Sequence, residues 1–296
     1  MLNGIIYKTT QIEEFTTENI FVNHNPAYLT ILDVTNYGYV HVDGQSFEEF
    51  DNIVKVVANH NQLNLKTMQT FKSLESLSLR NNELKSVEPI SDLLIHLDVS
   101  NNFLKPEDLT ILSKSKLQSL EVRSNRLCTI PENIKEDSSF LSLCQLDLSD
   151  NNIINSRSIY LLSTLHNLKQ LLLSNNGIKL IPYIVTKDPQ ESFSDSSDNI
   201  KDFKDSKICR EEDFYINNNQ ENLHDVIYYA LHIPFVSLVN LDLSGNLINN
   251  SLSLLSLLCW PAIKKIELIA NPVTSKKNVK FELLKDIFRS YNIDVD

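Results

Sequence analysis

The chain of 296 residues carries 27 Lys and Arg against 38 Asp and Glu, a net charge of −11. That balance disfavours a general polyanion binder, whose phosphate contacts need a cationic surface to displace condensed counterions. With only 5 Gly, glycine-rich phosphate-cradling loops have little to be built from, whereas 44 Leu and 33 Asn are large excesses that need a cause.

Residues 1–28 show no basic stretch followed by a long apolar run, and no run of 18 or more apolar residues occurs later. The expectation is a cytoplasmic or nuclear protein without a membrane segment, with residues 1–28 as an N-terminal cap. Cys128, Cys144, Cys209 and Cys259 lie far apart with no CxxC pair and read as reduced thiols. The sequon at Asn249 is then expected to be unused.

From Leu29 one register recurs, L-x-x-L-x-L-x-x-N-x-L. Its first slots are Leu29, Ile53, Leu74, Leu94, Leu117, Leu143, Leu168, Leu238 and Ile263. Its ninth slots are Asn61, Asn82, Asn102, Asn125, Asn151, Asn176, Asn246 and Asn271, with Tyr37 in the first copy. The fourth and sixth slots, such as Leu77 and Leu79, alternate with polar residues and predict one face of a short strand. The following Asn can hydrogen-bond backbone groups of the turn, so stacked copies predict a ladder of Asn side chains beside a parallel sheet. No copy can bury its leucines alone, so all nine are expected to fold as one array. The predicted fold is α/β, a right-handed solenoid with the parallel sheet on its concave face and short helices or 3₁₀ turns on its convex face.

First slots are spaced by 24, 21, 20, 23, 26, 25, 70 and 25 residues. Short spacings leave room for a 3₁₀ turn or brief helix, and longer ones for a helix such as one around Ser158 to Leu165. Repeats therefore fill 29–185. The long gap holds an acidic insertion, 186–222, with 10 acidic and 5 basic residues, expected to be disordered. Within it Ser192 and Ser197 stand in acidic surroundings suited to phosphorylation by acid-directed kinases. Leu223, Val226, Ile227, Ala230 and Leu231 fall at helical spacing and predict a returning helix that opens 223–275. Residues 276–296 are expected to be a capping helix, with Val279, Leu283, Leu284, Ile287, Phe288 and Tyr291 as its apolar stripe.

These registers resemble the intracellular leucine-rich repeat superfamily over nearly the whole chain. The closing Ile266-Glu267-Leu268-Ile269-Ala270-Asn271-Pro272 and the helix after it look like the cap of phosphatase-regulator-like members. A narrower resemblance, to proteins associated with X-ray radiation resistance, rests on four features. These are Gly4-Ile5-Ile6-Tyr7-Lys8, Ile181-Pro182-Tyr183, the polar insertion and Asn271-Pro272. It implies a non-enzymatic cytoplasmic and nuclear protein connected with the response to X-rays. The wider superfamily also implies two alternatives. One is a regulatory subunit of a phosphatase, cytoskeletal or ciliary complex. The other is a ribonucleoprotein scaffold using Lys264, Lys265, Lys276, Lys277 and Lys280.

Polar slots of the strands should face a partner. The fifth slot is acidic in six of nine copies: Asp33, Asp98, Glu121, Asp147, Asp242 and Glu267. Such a row suits a basic peptide, although Asp and Ser are ordinary at this slot in the repeat class. Arg80 and Arg123 in the seventh slot, His96 in the third and Leu172 in the fifth suggest a mixed anchor patch; alternatively each arginine pairs with an acidic neighbour one repeat away. Catalytic, cofactor and metal residues are not expected: Glu221-x-x-His224 is half of a di-iron pattern without its second half. The expected partner is another protein or peptide, bound by a chain that is monomeric by itself.

Overall fold

The computed structural model describes residues 13–15, 28–43, 45–47, 50–136, 138–186, 227–230, 233–275 and 278–296. The insertion from 187, Ser192, Ser197, Glu221, His224, Lys276, Lys277 and the opening Gly4–Lys8 lie outside them. Strands in chain order are β1 (Glu13–Phe15), β2 (Ile31–Asp33), β3 (Tyr39–Val42), β4 (Lys55–Val57), β5 (Ser76–Ser78), β6 (His96–Asp98) and β7 (Ser119–Glu121). They continue with β8 (Gln145–Asp147), β9 (Gln170–Leu172), β10 (Tyr183–Thr186), β11 (Ile227–Ala230), β12 (Asn240–Asp242), β13 (Lys265–Glu267) and β14 (Asp294–Val295).

One parallel sheet of ten strands runs in the order β14-β13-β12-β9-β8-β7-β6-β5-β4-β2. Each register supplies one strand, and like slots face like slots: Ser78 pairs with Asp98, Asp98 with Glu121, and Glu121 with Asp147. Strand β9 pairs directly with β12, Leu172 opposite Asp242, so the chain between them leaves the sheet unbroken. The sixth-slot residues, from Val34 to Leu268, are at most 1% exposed in all nine copies and form the spine of the core. A second buried column stands three residues before five of the registers: Phe50, Phe71, Phe140, Phe235 and Trp260. Phe235 and Trp260 pack with ring centroids 4.2 Å apart.

The ninth-slot asparagines join the copies. Asn102 Oδ1 accepts the backbone N–H groups of Asn82 at 3.0 Å and Leu84 at 2.9 Å, while Nδ2 donates to the carbonyls of Leu79 and Val99. The pattern recurs at Asn61, Asn82, Asn125, Asn151, Asn176, Asn246 and Asn271, each bonding its own repeat and the one before. Backbone groups that stacking removes from water thus keep partners. The eighth slot is left-handed in every copy, with φ from 52° to 66° at Asn36, His60, Asn81, Asn101, Ser124, Asp150, Asn175, Gly245 and Ala270. Asn and Asp tolerate that conformation, which accounts for more of the Asn excess. At Gly245 a side chain would also collide with the Asn175 amide oxygen.

Convex segments vary. Helices α1 (Leu65–Met68), α2 (Pro106–Leu112) and α3 (Ser156–Leu162) alternate with the 3₁₀ turns Glu132–Lys135 and Leu252–Cys259. Spacing alone does not select them. The 26-residue copy beginning at Leu117 has a four-residue 3₁₀ turn led by Pro131, while the 23-residue copy before it has a seven-residue helix. Local starts decide: Pro106 opens α2 with Asp108 accepting the Lys105 N–H, and Asn155 caps α3 by accepting from Ser158.

Three terminal and connecting expectations need correction. Where a returning helix was expected over 223–231, Ile227–Ala230 is strand β11, paired in parallel with β10. Its Ile-Tyr-Tyr core favours a strand once a partner edge is available. In the final helix, α4 (Val279–Ser290), the buried face is Phe281, Leu284 and Phe288. Val279, Leu283, Ile287 and Tyr291 are 72%, 61%, 41% and 64% exposed, so most of the expected stripe faces outward. The last repeat presents only one flank, and two phenylalanines fill it. After α4, Asn292 turns the chain with φ 59° and β14 adds a tenth strand beside β13, an element not expected from sequence.

Candidate functional site

Arg80, His96, Asp98, Glu121, Arg123, Asp147, Leu172 and Asp242 all stand on the concave side, because third, fifth and seventh slots alternate with the buried fourth and sixth. In-register pairing turns the fifth slot into a continuous row from Asp33 to Glu267.

Within that row the aspartates have a structural task. Asp98 Oδ1 accepts the Ser100 N–H at 3.0 Å, Asp147 accepts from Ser149 and Asp242 from Ser244 at 2.8 Å each, and Asp33 accepts from Thr35. Each closes the turn that leaves its strand. The arginines are also engaged: Arg80 lies 3.7 Å from Asp98, and Arg123 bonds Asp150 at 2.5 Å. Each pairs with an acidic neighbour, while its side chain stays partly exposed. Ser78 completes this network, donating to Asn59 at 2.7 Å and reaching Asp98 Oδ2 at 3.3 Å. Sequence reasoning did not find Asp150, Ser78 or Asn59, since only strand stacking sets them beside the arginines.

Glu121 differs. Burial raises its carboxyl above the usual carboxylate range, and the flanking Asp98 and Asp147 charges raise it further against the opposing pull of Arg80. Two strands away Leu172 leaves the row without a charge. In the seventh slot between Arg80 and Arg123, Ser100 is 1% exposed and its hydroxyl is buried without a partner among the described residues. His96 is exposed on β6.

Lys265 bonds Glu267 at 2.6 Å, Lys280 is exposed on α4, and Lys276 and Lys277 lie outside the described residues. On the convex side Glu132 holds Arg157 through two bonds of 2.8 Å, which keeps its carboxyl below the usual range, and Arg157 lies over the Tyr160 ring. Among the described residues no group of three His, Cys, Asp or Glu side chains is placed to hold a metal ion, and no helix is long and apolar enough to cross a membrane.

In-register parallel strands, an asparagine ladder and a left-handed eighth slot in every copy define a leucine-rich repeat protein, and it resembles X-ray radiation resistance-associated proteins. No family model matches the chain. It is 30% identical to X-ray radiation resistance-associated protein 1 of Mus musculus over 180 residues, 54% of this chain and 23% of that protein. It is 25% identical to lumican of Gallus gallus over 69% of this chain and 66% of lumican. To Toll-like receptor 2 of Bos taurus it is 29% identical over 61% of this chain and 21% of the receptor. The chain thus spans less than a quarter of the mouse relative's length. A solved leucine-rich repeat domain of APL1 aligns with TM-score 0.46 and 17% identity over 82% of this chain and 50% of that one.

Proposed function

We propose that this scaffold is non-enzymatic and holds a cationic segment of another protein along its concave face, centred on Glu121. The carrying observation is the Glu121 carboxyl itself, set in register between Asp98 and Asp147 and pushed up by burial and like charge. An incoming Lys or Arg would relieve that repulsion, so complementarity would set both partner choice and association rate.

The relevant compartment is the cytoplasm or nucleus, supported by free thiols at Cys128, Cys144 and Cys259, two of them exposed. The similarity to the mouse protein extends the proposal to X-ray resistance. Glu121→Lys with Leu172→Asp tests the site, since neither residue closes a turn. Affinity purification with the parent chain should recover partners that the double variant loses while its circular dichroism stays unchanged and its unfolding stays cooperative. Recovery of the same partners by a folded double variant would remove the concave assignment.

A further inference from the structure

The third slots form a second row on the concave face, beside the acidic one and two residues earlier in each strand. From β6 to β12 it reads His96, Ser119, Gln145, Gln170 and Asn240, each set against the next by in-register pairing. The two rows differ in what their side chains already hold. Fifth-slot Asp98, Asp147 and Asp242 accept hydrogen bonds from the turns that leave their own strands. No third-slot side chain from His96 to Asn240 makes a hydrogen bond or ion pair among the described residues. His96, Gln145 and Asn240 are exposed, and Ser119 and Gln170 are half-buried. The row closes at Lys265, which bonds Glu267.

The amides of Gln145, Gln170 and Asn240 each offer donors and an acceptor. A peptide group offers one of each, and a segment in the polyproline II conformation leaves them unbonded within itself. A helix arrives with its main-chain groups already bonded. Nucleic-acid bases are held by stacking on aromatic side chains, but slots three, five and seven carry no Phe, Tyr or Trp in any copy. The acidic row beside the amides also repels phosphate. Spacing agrees with the first occupant. Strands about 4.8 Å apart put Gln145 and Asn240 about 9.6 Å apart at the backbone, close to three residues of polyproline II at about 3.1 Å each.

We infer, resting on the concave assignment proposed above, that this row grips the main chain of the partner segment, which lies in polyproline II conformation across β8, β9 and β12. One turn of the segment spans Gln145 to Asn240 and presents the same flank to both, while Gln170 meets the residues between. Leu172 stands on the same face two residues after Gln170, in register between Asp147 and Asp242. It receives an apolar side chain of the segment, and the cationic side chains lie toward the acidic row and Glu121. Main-chain bonds thus supply affinity that tolerates many sequences, and Leu172 with the carboxylates supplies the preference among them.

A random dodecamer library displayed on phage and panned against the whole chain supplies the probe, with the best binder made synthetically for calorimetric titration. Gln145→Met with Gln170→Met keeps side-chain size, removes both amides, and should weaken that peptide at least tenfold while unfolding stays cooperative. Replacing the peptide's amides by esters, one at a time, removes a main-chain donor and weakens an acceptor. At the positions over the row each replacement should weaken binding to the parent chain severalfold and leave binding to the methionine variant unchanged. A library that yields no binder, a peptide that binds parent and methionine variant equally, or esters that cost nothing on the parent chain would each overturn the main-chain grip. Glu121→Lys with Leu172→Asp separates the two readings. A peptide lost by that variant but kept by the methionine variant leaves the acidic site standing and removes the grip. A peptide lost by the methionine variant alone keeps the grip and removes Glu121 as its centre.

Discussion

From β4 to β9 each concave strand is three residues long and pairs with its neighbour without a register shift. The convex segments behind the same strands run through a four-residue helix, an open stretch, a seven-residue helix, a 3₁₀ turn and another seven-residue helix. The concave side repeats because each strand must match the hydrogen-bond pattern of both neighbours, and one discordant copy would disturb two interfaces. The convex side has no ladder to satisfy, so each segment follows its own capping residues and its own number of spare residues. Stability is therefore concentrated where the copies agree. Variation, including the chain between β10 and β11, sits where they need not.

The sharpest way to break that contrast is to remove equivalent groups from the two sides. Leu120→Ala in β7, at 0% exposure, should cost about 4 kcal/mol in denaturant unfolding, whereas Leu252→Ala on the convex side, 58% exposed, should cost less than about 0.5 kcal/mol. Asparagines should divide in the same way. Asn102→Ala strips partners from buried groups in two repeats and should cost about 3 kcal/mol, against about 1 kcal/mol for losing the Asn155 cap of α3. Equal losses from the two asparagines would show that the ladder is not the stronger joint.

Two carboxylates shifted in opposite directions carry the contrast into pH dependence. Glu132 on the convex side titrates below its ordinary value because Arg157 bonds its charged form. Its contribution is therefore present above the ordinary carboxylate value and lost as pH falls through the lowered one. The pair is about half exposed, so the effect should be within about 1 kcal/mol and absent in Arg157→Ala. Glu121 on the concave side titrates above its ordinary value, so its ionised form costs stability at neutral pH, and stability is regained as pH falls through the raised value. Glu121→Gln should raise the melting temperature slightly at neutral pH, with no gain at acidic pH where the parent residue is already protonated. A drop in melting temperature at neutral pH would mean that the charge is already compensated within the chain, which would undercut the proposed cationic partner.

Much of the concave side is legible in the register because its rules are local and repeated. Alternation assigns Leu77 inward and Ser78 outward, and a polar amide after each strand marks the turn. Two further columns were equally present in the sequence and were missed. The aromatic three residues before Ile53, Leu74, Leu143, Leu238 and Ile263 is one. The left-handed eighth slot, filled by Asn, Asp, His, Ser, Gly or Ala, is the other, and its mixed chemistry hides it. The convex side is harder to read because its choices rest on single residues such as Pro131 and Pro106. Ile227–Ala230 misled for a related reason: apolar spacing fits a helix and a strand alike over so few residues, and the edge of β10 settles it.

The sequence by itself determined the repeat, its strands, the asparagine ladder and the face on which the acidic row lies, since each follows from a side-chain period that no distant contact can alter. Only the tertiary structure decided which charges are spent and which remain. Stacking brings Asp98 to Arg80, Asp150 to Arg123 and two aspartates to Glu121, and docking on the last repeat selects which flank of α4 is buried. Those outcomes depend on distances between residues 18 to 27 positions apart in the chain, and hydrophobic periodicity carries no information about them.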